Sequence, residues 1–239
     1  MPKIPKNPEQ IFSELVHDYQ SLFGDQLIAI ILYGSAARGE YVYKRSDINF
    51  LIVLSESGIR NLRRALPLVA RWKKRNVSTP LILTQEYIHS ALDAFPIEFL
   101  TMKLHHHLVY GIDILASIEI NLEHLRLQCE RELRGKLLYL REGFLNSNGR
   151  PTLIKQLISQ SLPAFASIFT GLLYLKNIDV PSSRRDLFSR VVENFDLDAK
   201  LFEHLIEQNY RKFGRFELCD LMDAYIIQIA KLINVVDQL

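Results

Sequence analysis

What the chain lacks narrows it first. Only two of its 239 residues are cysteines, Cys129 and Cys219, with no CxxC pair, which excludes a disulfide framework and a cysteine-built zinc site. That usage suits a reducing compartment, and a cytoplasmic location is the expectation. Long aliphatic runs are missing too. The longest, Leu27 to Leu32, is far too short to span a bilayer, and the opening MPKIPKNPEQ is polar and proline-broken where a signal peptide would be apolar. Charge of one sign is also lacking. The 29 Lys and Arg against 27 Asp and Glu leave a net +2, which favours neither a dedicated nucleic-acid binder nor an acidic, solvating chain. There is one tryptophan, Trp72, and no repeat or low-complexity tract.

What is present is the composition of a folded protein, 48% apolar, enough for one large domain or two small ones. Two textures divide it. Up to about residue 100, short β-branched runs alternate with helical patterns: IFSELVHDYQSLF helical, LIAIILY and NFLIVL strands, a helical stretch near 59–75, then PLILT and PIEFL as further strands. Pro67 inside that helical stretch predicts a kink or two shorter helices. After about residue 118 the strand signals stop. Leu122, Leu125, Cys129, Leu133, Leu137 and Leu140 recur at spacings of three and four, one apolar stripe on a long helix. Further helices are expected near 151–176, with a bend at Pro163, and near 184–194, 198–209 and 216–237. The reading is an α/β (α+β) mixed-sheet domain over 1–112 and an all-α helical bundle over 113–239, with a seam in a loop around His105 to Gly111.

The chemistry concentrates in LYGSAARGEYVYKRSDINFLIVL, residues 32–54. Gly34 follows a buried strand directly, where it permits a sharp turn and close approach of a ligand to the backbone. Ser35 is expected to open a helical turn whose free N–H groups favour a phosphate, with Arg38 one turn along on the same side. Asp47 and Asn49, two apart on an extended segment, project from one face. A carboxylate beside a phosphate-binding turn is a seat for a hard divalent cation. Glu98 is a charge inside an apolar pattern, and on a strand beside that of Asp47 it would complete a carboxylate cluster.

These residues resemble a family. Gly34, Ser35, Ala37, Arg38 and Gly39 in the pattern GSxARG, followed by SDIN at Ser46 to Asn49, look like the nucleotidyltransferase superfamily of DNA polymerase beta type. The likeness is greatest to its minimal and aminoglycoside-modifying members, in which a small α/β catalytic domain precedes a helical bundle. The resemblance implies that Gly34 and Ser35 grip a nucleoside triphosphate such as ATP, with Arg38 assisting. It implies one or two magnesium ions held by Asp47, Asn49 and Glu98, and an acceptor hydroxyl activated by a third carboxylate, for which Glu98 is the candidate. Nucleoside monophosphate would then pass to a hydroxyl acceptor, a small molecule or a protein; a homodimer is compatible with the pattern, and nucleic acid is not the favoured partner. Asn49 departs from the family, because an amide brings no negative charge and adds an NH2 group to the site. Two readings therefore stay open: a weakened enzyme, or a nucleotide-binding or regulatory module without turnover.

Other features read more plainly. His105, His106 and His107 are adjacent and cannot all face one ion from a regular element, so a solvated or interdomain loop is expected. Residues 60–75 carry seven cations and no acid, read as a solvated helix face, and Trp72 is read as packing.

Overall fold

The structure, a computed structural model describing residues 4–239, divides into two compact units. One runs to Asp93 and resumes over Phe99–Ile120; the other comprises Ala94–Glu98 and Asn121–Leu239. The residues from Asp113 to Ile120, expected with the helices, thus belong to the first unit.

In the first unit the 3-10 turn Pro8–Ile11, capped by the Asn7 side chain, leads into α1 (Phe12–Phe23). Leu15, Tyr19 and Phe23 recur every four residues on α1, so one face is buried. The sheet contains β1 (Leu27–Tyr33), β2 (Asn49–Leu54), β3 (Leu81–Thr84) and β4 (His106–Gly111), in the order β3-β2-β1-β4. β1 pairs antiparallel with β2 and β4, while β2 pairs parallel with β3. Alternate residues of β1 and β2 enter two cores. Ile30, Leu32, Phe50 and Ile52 pack with Tyr19 and Trp72, whereas Ile31, Leu51 and Val53 pack with Ile88, Phe99 and Leu115. Covering both faces explains why these strands read as unbroken apolar runs.

Short helices fill the connections: α2 (Glu56–Ile59), α3 (Leu66–Lys73), α4 (Gln85–Ser90), α5 (Pro96–Leu104) and α6 (Ile114–Ser117). Pro67 lies in the first turn of α3, behind the 3-10 turn Leu62–Ala65, so the helical stretch is broken into pieces as its proline requires. Trp72 is buried and donates from Nε1 to Asp18 Oδ2 at 3.0 Å, with the Arg75 guanidinium over its ring at 4.6 Å. Arg71 pairs with Asp18 and Arg75 with Glu14, both acids on α1; Arg71 stays exposed, as expected of a solvated face, and Arg75 is largely covered.

Two expectations are corrected. PIEFL is not a strand but the start of α5. Pro96 occupies its first position and Glu98 its first turn, placements a helix N-terminus favours, and an apolar run this short does not distinguish the two structures by its period. The segment from His106 to Gly111 is not a loop but the edge strand β4, half-buried except at the exposed His107 and Gly111. Gly111 ends it at φ +82°, where a Cβ would stand 1.9 Å from the Ile28 carbonyl oxygen.

The second unit is a helical bundle: α7 (Leu122–Ser147), α8 (Pro151–Leu175), α9 (Arg184–Asn194), α10 (Ala199–Ile206) and α11 (Arg215–Val236). The α7 stripe is buried from Leu125 to Leu140, while Leu122 is exposed beside the Asn121 cap. α8 is long and apolar enough, by length and composition, to cross a membrane, yet its apolar face forms the bundle core through Ile154, Ile158, Phe165, Phe169 and Leu172. It continues through Pro163 as one helix. Gly171 lets α8 approach α7 closely, since a Cβ there would lie 2.7 Å from Cys129 Sγ.

Candidate functional site

The site is built at the C-terminal end of β1, which pairs with β2 on one side and β4 on the other. Its last residue, Tyr33, pairs with Asn49 of β2 and with His106 of β4. Whatever follows Tyr33 is therefore held between the start of β2 and the start of β4. Gly34 follows at φ +78°, a left-handed conformation that favours glycine, and the chain coils through consecutive turns to Gly39. The expected helical opening at Ser35 is corrected: these are turns, closed by Arg38 N–H to Gly34 O at 3.2 Å and Glu40 N–H to Ser35 O at 2.9 Å. Ala36 and Ala37 anchor them in the α1-side core. Ser35 is half-buried, and the Arg38 guanidinium meets the Glu40 carboxylate at 3.1 Å.

Asp47 is exposed in the extended segment before β2, and Asn49 is the first residue of β2. A parallel bridge, Ile48 to Val77, ties this segment to the chain before β3, with Ser78 N–H donating to Ile48 O at 3.0 Å. That bridge places the Ser78 hydroxyl 2.5 Å from Asn49 Oδ1. Such a distance belongs to an O–H···O bond and is shorter than N–H···O bonds run, which assigns the amide oxygen to Ser78 and the nitrogen to the opposite side. On that side lies Gly34, where a Cβ would stand 3.1 Å from Asn49 Nδ2. Ser78 gives no motif in the sequence; its part comes from the strand pairing alone.

The histidines also fall at this end of the sheet. His105 lies close enough to Arg38 and Glu40 to feel both: burial lowers its pKa below the ordinary 6.5, Arg38 lowers it further and Glu40 opposes. Both ring nitrogens of His106 face acceptors, Nδ1 the carbonyls of Met102 and Lys103 at 3.1 and 3.0 Å, and Nε2 the Asp113 carboxylate at 2.9 Å. His107 stacks on Phe12 at 5.6 Å between ring centroids. Three adjacent histidines thus have three separate surroundings. The short apolar run Leu108, Val109 and Tyr110, ended by Gly111, was the signal for a strand here.

Glu98 does not lie on a strand. Its assignment depended on a strand beside that of Asp47, and α5 is a helix; the Glu98 side chain is exposed and accepts a hydrogen bond from Gln128 Nε2 at 2.8 Å. The four strands, LIAIILY, NFLIVL, LILT and HHLVYG, carry no carboxylate at all. Two adjacent magnesium ions require several anionic oxygen ligands to offset their repulsion. The segment from Asp47 to Asn49 supplies one carboxylate and an amide whose oxygen is engaged by Ser78, and no three His, Cys, Asp or Glu side chains gather as metal ligands among the described residues. The donor set does not fit a two-metal centre.

No family model matches the chain, and no curated protein matches it. Solved structures do. Spectinomycin adenyltransferase AAD(9) from Enterococcus faecialis, in a crystal structure with ATP and spectinomycin, aligns at a TM-score of 0.52 and 14% identity over 95% of this chain and 99% of that one. A toxin-antitoxin structure with AMP-PNP aligns at a TM-score of 0.29 and 17% identity, over 44% of this chain and 75% of that one. The first likeness is one of fold: a mixed sheet with helices followed by a helical region, the nucleotidyltransferase-like arrangement.

Proposed function

We propose that this chain is a nucleotide-binding protein of nucleotidyltransferase-like fold, which holds the polyphosphate of a nucleoside triphosphate, such as ATP, at the turn from Gly34 to Arg38. The observation that carries the reading is the close approach of Asn49 Nδ2 to the side-chain-free Gly34 at the end of β1, where a Cβ would stand 3.1 Å from that nitrogen. Gly34 leaves the backbone and the amide approachable, Ser35 adds a hydroxyl, and Arg38 brings a guanidinium suited to phosphate. Calorimetry with ATP and with GTP tests it. Binding should be weakened about ten-fold in Ser35→Ala, the scale of one hydrogen bond to a charged group. A folded protein that binds no nucleoside triphosphate overturns the reading.

A second reading, transfer of the nucleoside monophosphate to a hydroxyl acceptor, draws support from the coverage of the adenyltransferase alignment, which extends over the helical region as well as the sheet. In that reaction the acceptor oxygen bonds to the α-phosphorus, the bond from that phosphorus to pyrophosphate breaks, and the hydroxyl proton is released. In the adenyltransferase structure the acceptor is spectinomycin; here the acceptor class rests on fold analogy alone. Release of pyrophosphate from ATP across a panel of hydroxyl compounds, water included, separates transfer from binding.

A further inference from the structure

The poor fit to metal has its own consequence, which rests on the nucleotide-binding reading. We infer that the protein takes the polyphosphate directly, with no divalent cation seated between carboxylates and phosphate, and that the Asn49 amide, aimed by Ser78, is a phosphate-binding donor.

Three observations converge. First, the orientation of Asn49 is set: Oδ1 accepts the Ser78 hydroxyl at 2.5 Å, while Nδ2 makes no hydrogen bond among the described residues and lies against Gly34, 3.1 Å from where a Cβ would stand. A metal ligand would present the oxygen, whereas an anion needs the N–H. Second, the strands carry no carboxylate that would hold a cation, leaving beside the turn only Asp47 and a Glu40 already engaged by Arg38. Third, the chain from Gly34 to Asn49 carries Arg38, Lys44 and Arg45 against Glu40 and Asp47, an excess of one positive charge before any cation is added. A carboxylate at position 49 would repel a phosphate unless a cation intervened; an amide donates to it. Asparagine is therefore not a weakened aspartate here, because its nitrogen takes the place a metal would hold.

Ser78 acts as a positioning residue. Without its hydroxyl the amide loses the partner that fixes which end faces Gly34.

The test is calorimetry of ATP binding to the full chain in EDTA and in magnesium. Native protein should bind in EDTA within about three-fold of its affinity in magnesium. Asn49→Asp should bind at least ten-fold more weakly in EDTA and regain affinity when magnesium is added. Ser78→Ala should lose several-fold in EDTA, with little further loss in the Ser78→Ala, Asn49→Ala double variant. Titration with manganese alone should show no site in the native protein. A native affinity that falls more than ten-fold on chelation, or a native manganese site lost in Asn49→Ala, overturns the direct mode while leaving nucleotide binding intact. Absence of ATP binding in both buffers overturns the nucleotide reading, and this inference with it. Circular dichroism spectra of each variant matching the native one exclude unfolding as the cause.

Discussion

The hydroxyl of Ser78 and the amide oxygen of Asn49 lie 2.5 Å apart, although 29 positions separate them in the chain. The parallel approach of the Val77 segment to Ile48 brings them together and orients Asn49 Nδ2 at Gly34. Asn49, the residue that departs from the motif the sequence resembles, thus has a defined partner and a defined direction.

Gly34 should tolerate no side chain. At φ +78° an alanine is strained, and its Cβ would press on Asn49 Nδ2 at 3.1 Å. Gly34→Ala should lower stability by about 1–2 kcal/mol, the usual scale for an L-residue forced into this region. Nucleotide affinity should fall by more than the loss in Ser35→Ala, because the substitution fills the phosphate space as well as straining the turn. Denaturant unfolding and calorimetry on the same variant check both. Full stability with full affinity would show that the space over Gly34 is not used.

Gly111 and Gly135 form a matched pair of opposite sign. A Cβ at Gly111 meets the Ile28 carbonyl oxygen at 1.9 Å, and that oxygen is backbone that cannot swing aside, so Gly111→Ala should cost at least about 2–4 kcal/mol or prevent folding. Gly135, inside α7, has nothing within 4 Å of its would-be Cβ. Gly135→Ala should therefore stabilise by about 0.5–1 kcal/mol, through helix propensity alone. Equal effects of the two substitutions in thermal unfolding would contradict the close contact between β4 and β1.

How much of this was legible depended on where each residue's partners lie. β1 and β2 could be read because both faces of each are buried, so Leu27–Leu32 and Phe50–Leu54 are unbroken apolar runs. β4 was hidden by its position at the sheet edge, where half-burial admits the histidines that suggested a loop. In Pro96–Leu104 the apolar residues Ile97, Phe99 and Leu100 fit strand and helix alike, and Glu98 took its apparent meaning from the wrong choice. The importance of Asn49 was readable from its local motif. Its direction was not, because that is decided by Ser78 across a strand pairing that leaves no periodic trace.

The two cysteines should differ sharply in reactivity. Burial, with the charges of Glu132 and Glu98 adding to it, pushes the Cys129 thiol up to about 12, and its Sγ packs where α8 crosses at Gly171. Cys219, on α11, is only partly buried. The thiolate is the reactive form, so at pH 8 an aromatic disulfide reagent should modify Cys219 and leave Cys129 untouched until the bundle unfolds. Two equivalents of rapid release from native protein would show that α7 and α8 are not packed as described.

The pairing of His106 with Asp113 predicts an acid-dependent loss of stability in the first unit. Burial alone would raise the Asp113 pKa, but the hydrogen bond from His106, the one from the Ala116 N–H, and the charge of His106 together hold the carboxyl below its ordinary 3.8. A carboxyl depressed in the folded state is protonated first in the unfolded chain. Its stabilisation is therefore complete above 3.8 and is lost as the pH falls through the folded-state value. Asp113 also caps α6 through Ala116, and asparagine keeps that cap, so Asp113→Asn removes the charge while sparing the helix start. The pair is partly solvated, and the variant should be less stable by no more than about 1 kcal/mol between pH 5 and 6, with the difference narrowing as the pH falls below 3.8. Trp72 is the sole tryptophan and is buried in the same unit as Asp113, so its fluorescence in urea titrations reports that unit without the helical bundle. A difference that stays constant from pH 3 to 6 would mean that the bond to His106 acts as a neutral hydrogen bond rather than through charge, and the assigned direction of the Asp113 shift would be wrong.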